Sequence, residues 1–491
     1  MTDYSEHICV IGAGTISNHL AVELVDRGHK VLVVEAGGLD FESNLLSLKD
    51  YKFNSPSMLP ENVHRVGGGG NYWIGRIGEF LPKDFEALPG IRSESWPFQI
   101  GELEPYYRSV YNKLIKSDLL DHEFINKYFM TSLQVPTGLG IRPIRYTEPQ
   151  RLRNLFLEKL TDPTLVLLKN TIVTKIGKDR DGSPKVSIKN TDSQVADLLV
   201  KRVIVACGAL QSTKLFLNSN EIHTDVNTFP AGAFLMEHLD GYIGDIKVSK
   251  QNLDFIKNIA LNSDRILESM SNLNCGLSII IEPSDKRNVT VGLEIVNKVV
   301  NYNFAPATNG LGSHKRNLFH NIAFTLERIL RKITGGVVKL FREKLFGLHT
   351  YSIWLKAEEI PFKESNVNVD RGAGVLNYSH KISTETSVAV RQALEKFELL
   401  LRTHNLGRVK FYDEVMDASK ILQLRPNWHP MGTLRMGRPG NSVVDENLKL
   451  HGVENIYFLS SAVFPTGSNQ NPVFTTLALG TRLADHISKG V

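Results

Sequence analysis

Little in this chain is extreme, and its shortages narrow the classification first. Three cysteines, Cys9, Cys207 and Cys275, among 491 residues are too few and too scattered for a disulfide framework, and they form no metal-ligand spacing. Two of them stand in apolar runs that read as strands, so they are expected in a core. Such sparse cysteine is compatible with a reducing compartment. Charge of one sign is also lacking: 57 Lys and Arg face 52 Asp and Glu, an excess too small and too dispersed to argue for nucleic acid. No run of eighteen apolar residues occurs, which leaves no spanning helix. Neither a basic region nor an apolar stretch precedes the first strand, so no secretory leader is expected, and the location expected is cytoplasmic, with the inner membrane face as a peripheral option. Repeats and low-complexity segments are absent. The balance of 42% hydrophobic and 22% charged residues is that of a globular protein, and the length exceeds one ordinary core, so at least two domains are expected.

What the chain does have is concentrated at its start. The run Ile8-Cys9-Val10-Ile11 is too short for a helix and suits a strand buried on both faces. Gly12 then permits a tight turn, and Gly14 has no side chain to block a pyrophosphate. A helix over 18–26, apolar at Leu20, Ala21, Leu24 and Val25, aims its first N–H groups at that phosphate. Gly28 ends it, Val31 to Val34 form a second strand, and Glu35 closes that strand at the distance a ribose hydroxyl requires. The third glycine of the fingerprint is Ser17, a small compromise at a close helix–strand contact. Together these residues predict a dinucleotide site with an unphosphorylated ribose, and they do not separate NAD from FAD.

Four successive glycines, 67–70, follow Arg65-Val66 and precede Asn71-Tyr72-Trp73-Ile74. They strip side chains from a loop, so a flat ligand can rest on backbone, and the flanking apolar residues argue against a flexible linker. Trp96-Pro97-Phe98 leads into a helical run over 103–115. Strands are predicted at 165–168, 172–176 and 186–188, and 203–209 repeats the opening logic of buried strand, glycine and helix. The region 240–420 alternates helices and strands without glycine turns and reads as a separate substrate-side domain. Within it, 315–347 pairs an apolar stripe with eight basic residues: Lys315, Arg316, Arg328, Arg331, Lys332, Lys339, Arg342 and Lys344. Two readings stay open: a helical hairpin packed on its own domain, or reversible contact with a membrane surface or a partner protein.

The C-terminal part is dense in reactive types. His429 lies in Asn427-Trp428-His429-Pro430-Met431-Gly432, a strand is predicted from Ile456, and Gly467-Ser468-Asn469-Gln470-Asn471-Pro472 precedes a helix over 473–487. Imidazole is the side chain best placed to take a hydroxyl proton near neutral pH.

Five stretches, taken together, resemble the glucose–methanol–choline (GMC) oxidoreductases, flavin enzymes that oxidise alcohols. They are the Gly12/Gly14/Glu35 unit, 67–73, Trp96-Pro97 with Leu103-Glu104-Pro105-Tyr106-Tyr107, 206–212, and 429–485. The glycine loop with its tryptophan is most similar to the pyranose oxidase, gluconate dehydrogenase and fructose dehydrogenase branch. The resemblance implies FAD, and an α/β fold (α+β overall) in which a Rossmann-like FAD-binding domain, 1–100, 155–240 and 425–491, is interleaved with a substrate-side segment, 101–154, and a substrate domain on a large sheet, 241–424. It implies His429 as catalytic base and Asn471 as its polar partner. It places Gly67, Gly68, Asn71, Tyr72, Trp73 and Ile74 along the isoalloxazine, Val173, Cys207 and Gly208 near the adenine, and Ser461 and Ala462 near the ribityl and diphosphate; Gly12, Gly14, Ser17, Glu35 and Pro472 complete the cofactor set. No metal is implied. Some pyranose oxidases attach FAD through a histidine where this chain has Tyr72, so the FAD expected here is non-covalent. Only scattered pieces of 240–420 and its approach, 234–238 and 357–361 among them, resemble the family, so the substrate does not transfer. The implied reaction takes a CH–OH group of a sugar, polyol or other alcohol to a carbonyl, with dioxygen, a quinone or a cytochrome as electron acceptor. The rivals are a lyase of the hydroxynitrile lyase type and a flavin-free binding protein on the same scaffold.

Overall fold

The computed structural model describes residues 3–39, 51–53, 64–71, 73, 75–87, 95–114, 139–148, 150–223, 229–249, 275–281, 291–296, 348–370, 374–412, 425–426 and 429–490. The basic, apolar stretch 315–347 lies outside them, as do Tyr72 and Ile74.

Five strands make a parallel sheet. β1 (Ile8–Ile11) is central, with β2 (Val31–Val34) and then β6 (Leu165–Leu168) on one side, and β10 (Arg202–Val205) and then β19 (Ile456–Phe458) on the other. All four residues of β1 and of β2 are buried, as continuous apolar runs in a covered parallel sheet should be. Register brings the C-terminal ends level: Ile11 pairs with Val34 and with Val205. Around this sheet pack α1 (Thr15–Asp26), α2 (Glu104–Leu114), α3 (Arg151–Lys159), α4 (Ala209–Asn218) and the C-terminal helix, α6 below (Pro472–Ser488). Glu23 of α1, 1% exposed, ties three of these helices together. It accepts from Arg27 at 2.5 Å and from Lys113 of α2, and Arg27 reaches Asp485 of the C-terminal helix at 2.5 Å.

A larger antiparallel sheet has the order β17 (Arg408–Phe411), β11 (Leu239–Ser249), β14 (Leu348–Ala357), β13 (Val291–Val296), β12 (Cys275–Ile281), β5 (Leu139–Tyr146), β4 (Arg76–Ile77), and β18 (Arg425–Pro426) pairs with β11. The two-residue period of a strand decides what each face does. In β14, Ile353, Leu355 and Ala357 belong to a second core with Ala389, Val390, Leu394 and Phe397 of α5 (Thr384–Thr403). Ser352, Trp354 and Lys356 occupy the opposite face of the strand. Two smaller sheets complete the fold: β15 (Asn366–Asp370), β16 (Val375–Ser379) and β3 (Tyr51–Phe53), and the hairpin set β7 (Thr171–Lys178), β8 (Pro184–Asn190) and β9 (Val195–Leu199). The last helix, which follows α5, is α6 in chain order.

The two large sheets draw on alternating pieces of chain, which is the interleaved α/β arrangement expected. β1, β6 and β19 fall at the predicted positions, and α1 begins three residues earlier than the apolar pattern suggests, at Thr15. Among the described residues no helix is long and apolar enough to cross a membrane. Cys9 is fully buried in β1, and burial pushes its thiol up to about 12.

Candidate active site

The level strand ends of the parallel sheet gather most of the sequence-predicted cofactor residues. Gly12 has φ +100°, and a Cβ there would lie 2.9 Å from Cys207 Cα, so packing alone demands glycine at this turn. Gly14 is different. It precedes α1 with φ −74°, and a Cβ would meet nothing nearer than Ser17 Oγ at 3.8 Å. The protein therefore gives no packing reason for the second glycine. Ser17, at the third glycine position, is fully buried, and its hydroxyl lies 3.3 Å from the carbonyls of both Gly14 and Ala206. The serine thus finds acceptors at the helix–strand contact rather than spoiling it.

Glu35 is 6% exposed. Its Oε2 accepts from Ala13 N–H at 2.7 Å and its Oε1 from Gly37 N–H at 2.8 Å. Burial raises its pKa, against the lowering effect of those two bonds. The carboxylate braces the turn it follows, and each oxygen keeps a second lone pair for a hydroxyl donor. The glycine loop lies directly on this turn: Gly67 N–H donates to Ala13 O at 2.7 Å, and a Cβ on Gly68 would be 3.0 Å from Gly14 Cα. Asn71 closes the loop on itself through Val66 O at 3.1 Å and Gly68 O at 2.9 Å, and Trp73 Nε1 donates to Arg76 O at 3.3 Å. Cys207 follows β10, with its thiol pushed up to about 11 by burial, and Gly208 (φ +79°) precedes α4. Val173 sits in β7, whose first residue, Thr171, donates to Glu35 O at 2.9 Å.

A second cluster stands where the antiparallel sheet meets the C-terminal loops. The segment 430–436 is laced onto 461–463: Gly432 N–H donates to Ser461 O at 3.1 Å, Leu434 N–H to Ala462 O at 2.8 Å, and Ser461 Oγ to Pro430 O at 2.7 Å. Met431 and Met236 exchange backbone bonds at 2.9 and 3.0 Å. His429 is held at this junction. Its backbone N–H donates to Glu237 Oε2 at 2.6 Å, and its Nδ1 lies 3.3 Å from His238 Nδ1. Burial, then the Lys356 and Arg76 charges, hold its pKa well below the ordinary histidine range; burial, then Lys356 and His429, do the same to His238. The two Nδ1 atoms are close enough to share one proton.

Asn471 precedes α6 with Pro472 at its first position, yet its side chain makes no capping bond. Asparagine there ordinarily turns its oxygen onto the helix N–H groups. Instead Asn471 Oδ1 accepts from Lys356 Nζ of β14. Lys356, 2% exposed, also stands 3.8 Å from Asp240.

Behind His429 lies a buried acid network. Glu237, pushed up to about 7 by burial, accepts from Tyr378 OH at 2.9 Å as well as from His429. Glu359 accepts from Glu237 N–H at 3.1 Å and pairs with His380 at 2.9 Å. Burial opposes a charge on His380, but Glu359 outweighs it and raises the pKa.

Residues 364–480 match the family model described as GMC oxidoreductase. This stretch is similar to the GMC oxidoreductases. Over 158 residues the chain is 28% identical to the 2-methyl-1,2-propanediol dehydrogenase of Mycolicibacterium austroafricanum, covering 31% of this chain and 27% of that GMC relative. The curated relatives are matched over little of their own length, from 13% to 27%. In fold the likeness extends over nearly the whole chain: the crystal structure of pyridoxine 4-oxidase from Mesorbium loti superposes with TM-score 0.58 at 15% identity, covering 98% of each chain. A formate oxidase from Aspergillus oryzae, solved to follow modification of its FAD, superposes with TM-score 0.55 at 15% identity, covering 100% of this chain and 99% of that one. The GMC likeness implies FAD.

The residues present fit such a group. The N-termini of α1 and α4 carry no side-chain cap, Gly14 leaves open the space that a pyrophosphate needs, and a Cβ on Gly69 would meet nothing within 4 Å. The GMC reading of the sequence missed Glu237, His238, Lys356 and Glu359 as site residues. Its only signal for them was the family-like pieces 234–238 and 357–361, which carry Glu237, His238 and Glu359. Nothing in the sequence pointed to Lys356. Among the described residues no cluster of His, Cys, Asp and Glu could hold a metal.

Proposed function

We propose that the chain is an FAD-dependent oxidoreductase that takes a CH–OH group of a sugar, polyol or other alcohol to a carbonyl. The observation that carries this reading is the His429 side chain: an imidazole kept neutral by burial and two neighbouring cations, paired through Nδ1 with His238. With the shared proton on its own Nδ1, His429 offers the Nε2 lone pair to a substrate hydroxyl, and His238 is the acceptor that fixes that tautomer. Asn471, released from capping, donates its amide N–H to the oxygen as negative charge develops there. Bound FAD would supply the ring that accepts hydride from the carbinol carbon. Gly12, Gly14, Glu35, Gly67 and Gly68 would hold its dinucleotide part, with Cys207 and Gly208 beside them and Ser17 bracing the turn from behind. Asn71, Tyr72, Trp73, Ile74, Val173, Ser461, Ala462 and Pro472 are the further contacts proposed, and the attachment is non-covalent. Segments 1–100, 155–240 and 425–491 make up the cofactor domain of this reading, and 241–424 the substrate domain. The electron acceptor is dioxygen, a quinone or a cytochrome.

An anaerobic panel of alcohols and sugars, followed by loss of flavin absorbance, tests this. Bleaching by at least one alcohol, with FAD released on denaturation without proteolysis, is the expected result. A protein that binds FAD but is bleached by none, while cleaving a cyanohydrin, is a lyase, and one that binds no FAD sinks the reading altogether.

A further inference from the structure

Lys356 is placed by the register of the large sheet. It pairs with Asp240 across β14 and β11, and with Gly292 across β14 and β13. Its neighbours Leu355 and Ala357 are fully buried on the α5 side, so strand alternation sends Lys356 to the other face. An ammonium has three donors and no acceptor. Of the two ends of an amide, only the oxygen can satisfy it. A buried lysine is costly unless paired, and here Asp240 at 3.8 Å and Asn471 Oδ1 both receive it.

We propose that Lys356 is the positioning residue of the site: it grips the Asn471 amide by its oxygen and so presents the amide N–H groups, never the carbonyl, to the substrate oxygen. This rests on the oxidoreductase reading for its substrate, but the grip itself does not. Without it, the Asn471 oxygen is free to turn onto the N–H groups of α6, the ordinary capping geometry, and the donor to the developing alkoxide is lost. The same charge acts on His429. Among the described residues, the groups acting on that imidazole are Lys356 of β14, Arg76 of β4, His238 and, at its backbone, Glu237; Asp240 stands beyond Lys356, and the Glu359–His380 pair beyond Glu237. Lys356 and Arg76 both favour the neutral base, so the site stays competent below the pH at which an ordinary histidine protonates.

The test compares FAD-loaded wild type, Lys356→Met and Lys356→Arg. Titration of His429 by 15N NMR of histidine-labelled protein, assigned with His429→Gln, gives a readout independent of turnover. The inference expects His429 to titrate well below the ordinary range in wild type, to move up by about one unit or more in Lys356→Met, and to return in Lys356→Arg. In stopped-flow flavin reduction, Lys356→Met should be slowed about tenfold to a hundredfold with little change in half-saturation, and its acid limb should shift up with the NMR value. Should Lys356→Met misfold around the stranded Asp240, Lys356→Met/Asp240→Asn removes both charges and reads the same slowing. Variants whose reduction rate matches wild type overturn the grip, and a wild-type His429 that titrates near 6.5 overturns the effect of the Lys356 charge on the base. A wild type that no alcohol reduces sinks the oxidoreductase reading instead, while the NMR shift still decides whether the Lys356 charge acts on His429.

Discussion

Gly12 and Gly14 sit two residues apart in one turn; the structure gives Gly12 a packing reason for being glycine and Gly14 none, a difference that a pair of alanine substitutions tests. Gly12 holds φ +100°, where an L side chain costs about 1–2 kcal/mol, and its Cβ would press on Cys207 Cα at 2.9 Å and Ala206 O at 3.1 Å. Both atoms belong to the backbone just past β10, which Ala206 N–H holds to Ile11 O at 3.0 Å, so neither yields cheaply, and overpacking adds about 1–3 kcal/mol. Gly12→Ala should therefore cost about 2–5 kcal/mol of folding stability, a large share of the 5–15 kcal/mol that folded proteins typically possess. Gly14 has ordinary extended angles, and a Cβ there would have no neighbour inside 3.8 Å. Gly14→Ala should leave stability within about 1 kcal/mol, since the lost chain freedom and the poorer cap nearly offset. Its methyl would, however, occupy the approach of a pyrophosphate. An overlap worth about 1–3 kcal/mol there weakens FAD about fivefold to 150-fold. Urea unfolding of FAD-stripped protein and a fluorescence titration with FAD read the two effects separately. If Gly14→Ala binds FAD as wild type does, no phosphate passes Gly14. If it destabilises the stripped protein as much as Gly12→Ala does, the steric argument itself is wrong.

His429→Ala should keep its FAD and slow anaerobic reduction by about a hundredfold or more, with Asn471→Ala costing less; wild-type rates in a folded, FAD-loaded His429→Ala would remove His429 from the chemistry. Glu237 is raised from 4.5 to about 7 in the fold, so the folded state holds a proton that the unfolded chain has released. Wild-type stability should therefore fall as pH rises from about 4.5 to about 7, by about 3 kcal/mol, and level off above. Glu237→Gln should flatten that slope, and a pH series of urea midpoints that runs parallel for the two proteins would show that Glu237 does not carry the proton. Ser17→Ala should cost about 1 kcal/mol and leave FAD affinity alone, because the hydroxyl bonds to carbonyls and not to the ligand space; a large loss of FAD affinity would place it on the cofactor.

Much of the parallel sheet was legible because its signals are local. Four buried apolar residues, a glycine that must have positive φ and a helix behind it are written consecutively at 8–26, and 203–218 repeats them. Glu35 was legible as an acid at the right distance, but its bracing of Ala13 and Gly37 was not, because a carboxylate bonded to backbone leaves no mark in spacing. Ser17 read as a compromise for a related reason: its second acceptor, Ala206, lies 189 residues away.

The same logic explains why much of the second cluster went unread. His429 and Asn471 each sit in a run of glycine, proline and polar residues that marks a loop with a task, and that pattern survives in sequence. Lys356 sits in Ser352-Ile353-Trp354-Leu355-Lys356-Ala357, a strand whose alternation forecasts an exposed polar face. A lysine there ordinarily reads as solvated. What reverses the reading is the parallel-sheet unit packed over that face, which no periodicity can reveal, and Asp240 facing it from a strand 116 positions earlier in the chain. The cost of burying a lysine is then the most informative fact about it. A chain that needed only a filled interior at this place would carry leucine, so the ammonium is retained for what it holds, and what it holds is the Asn471 amide.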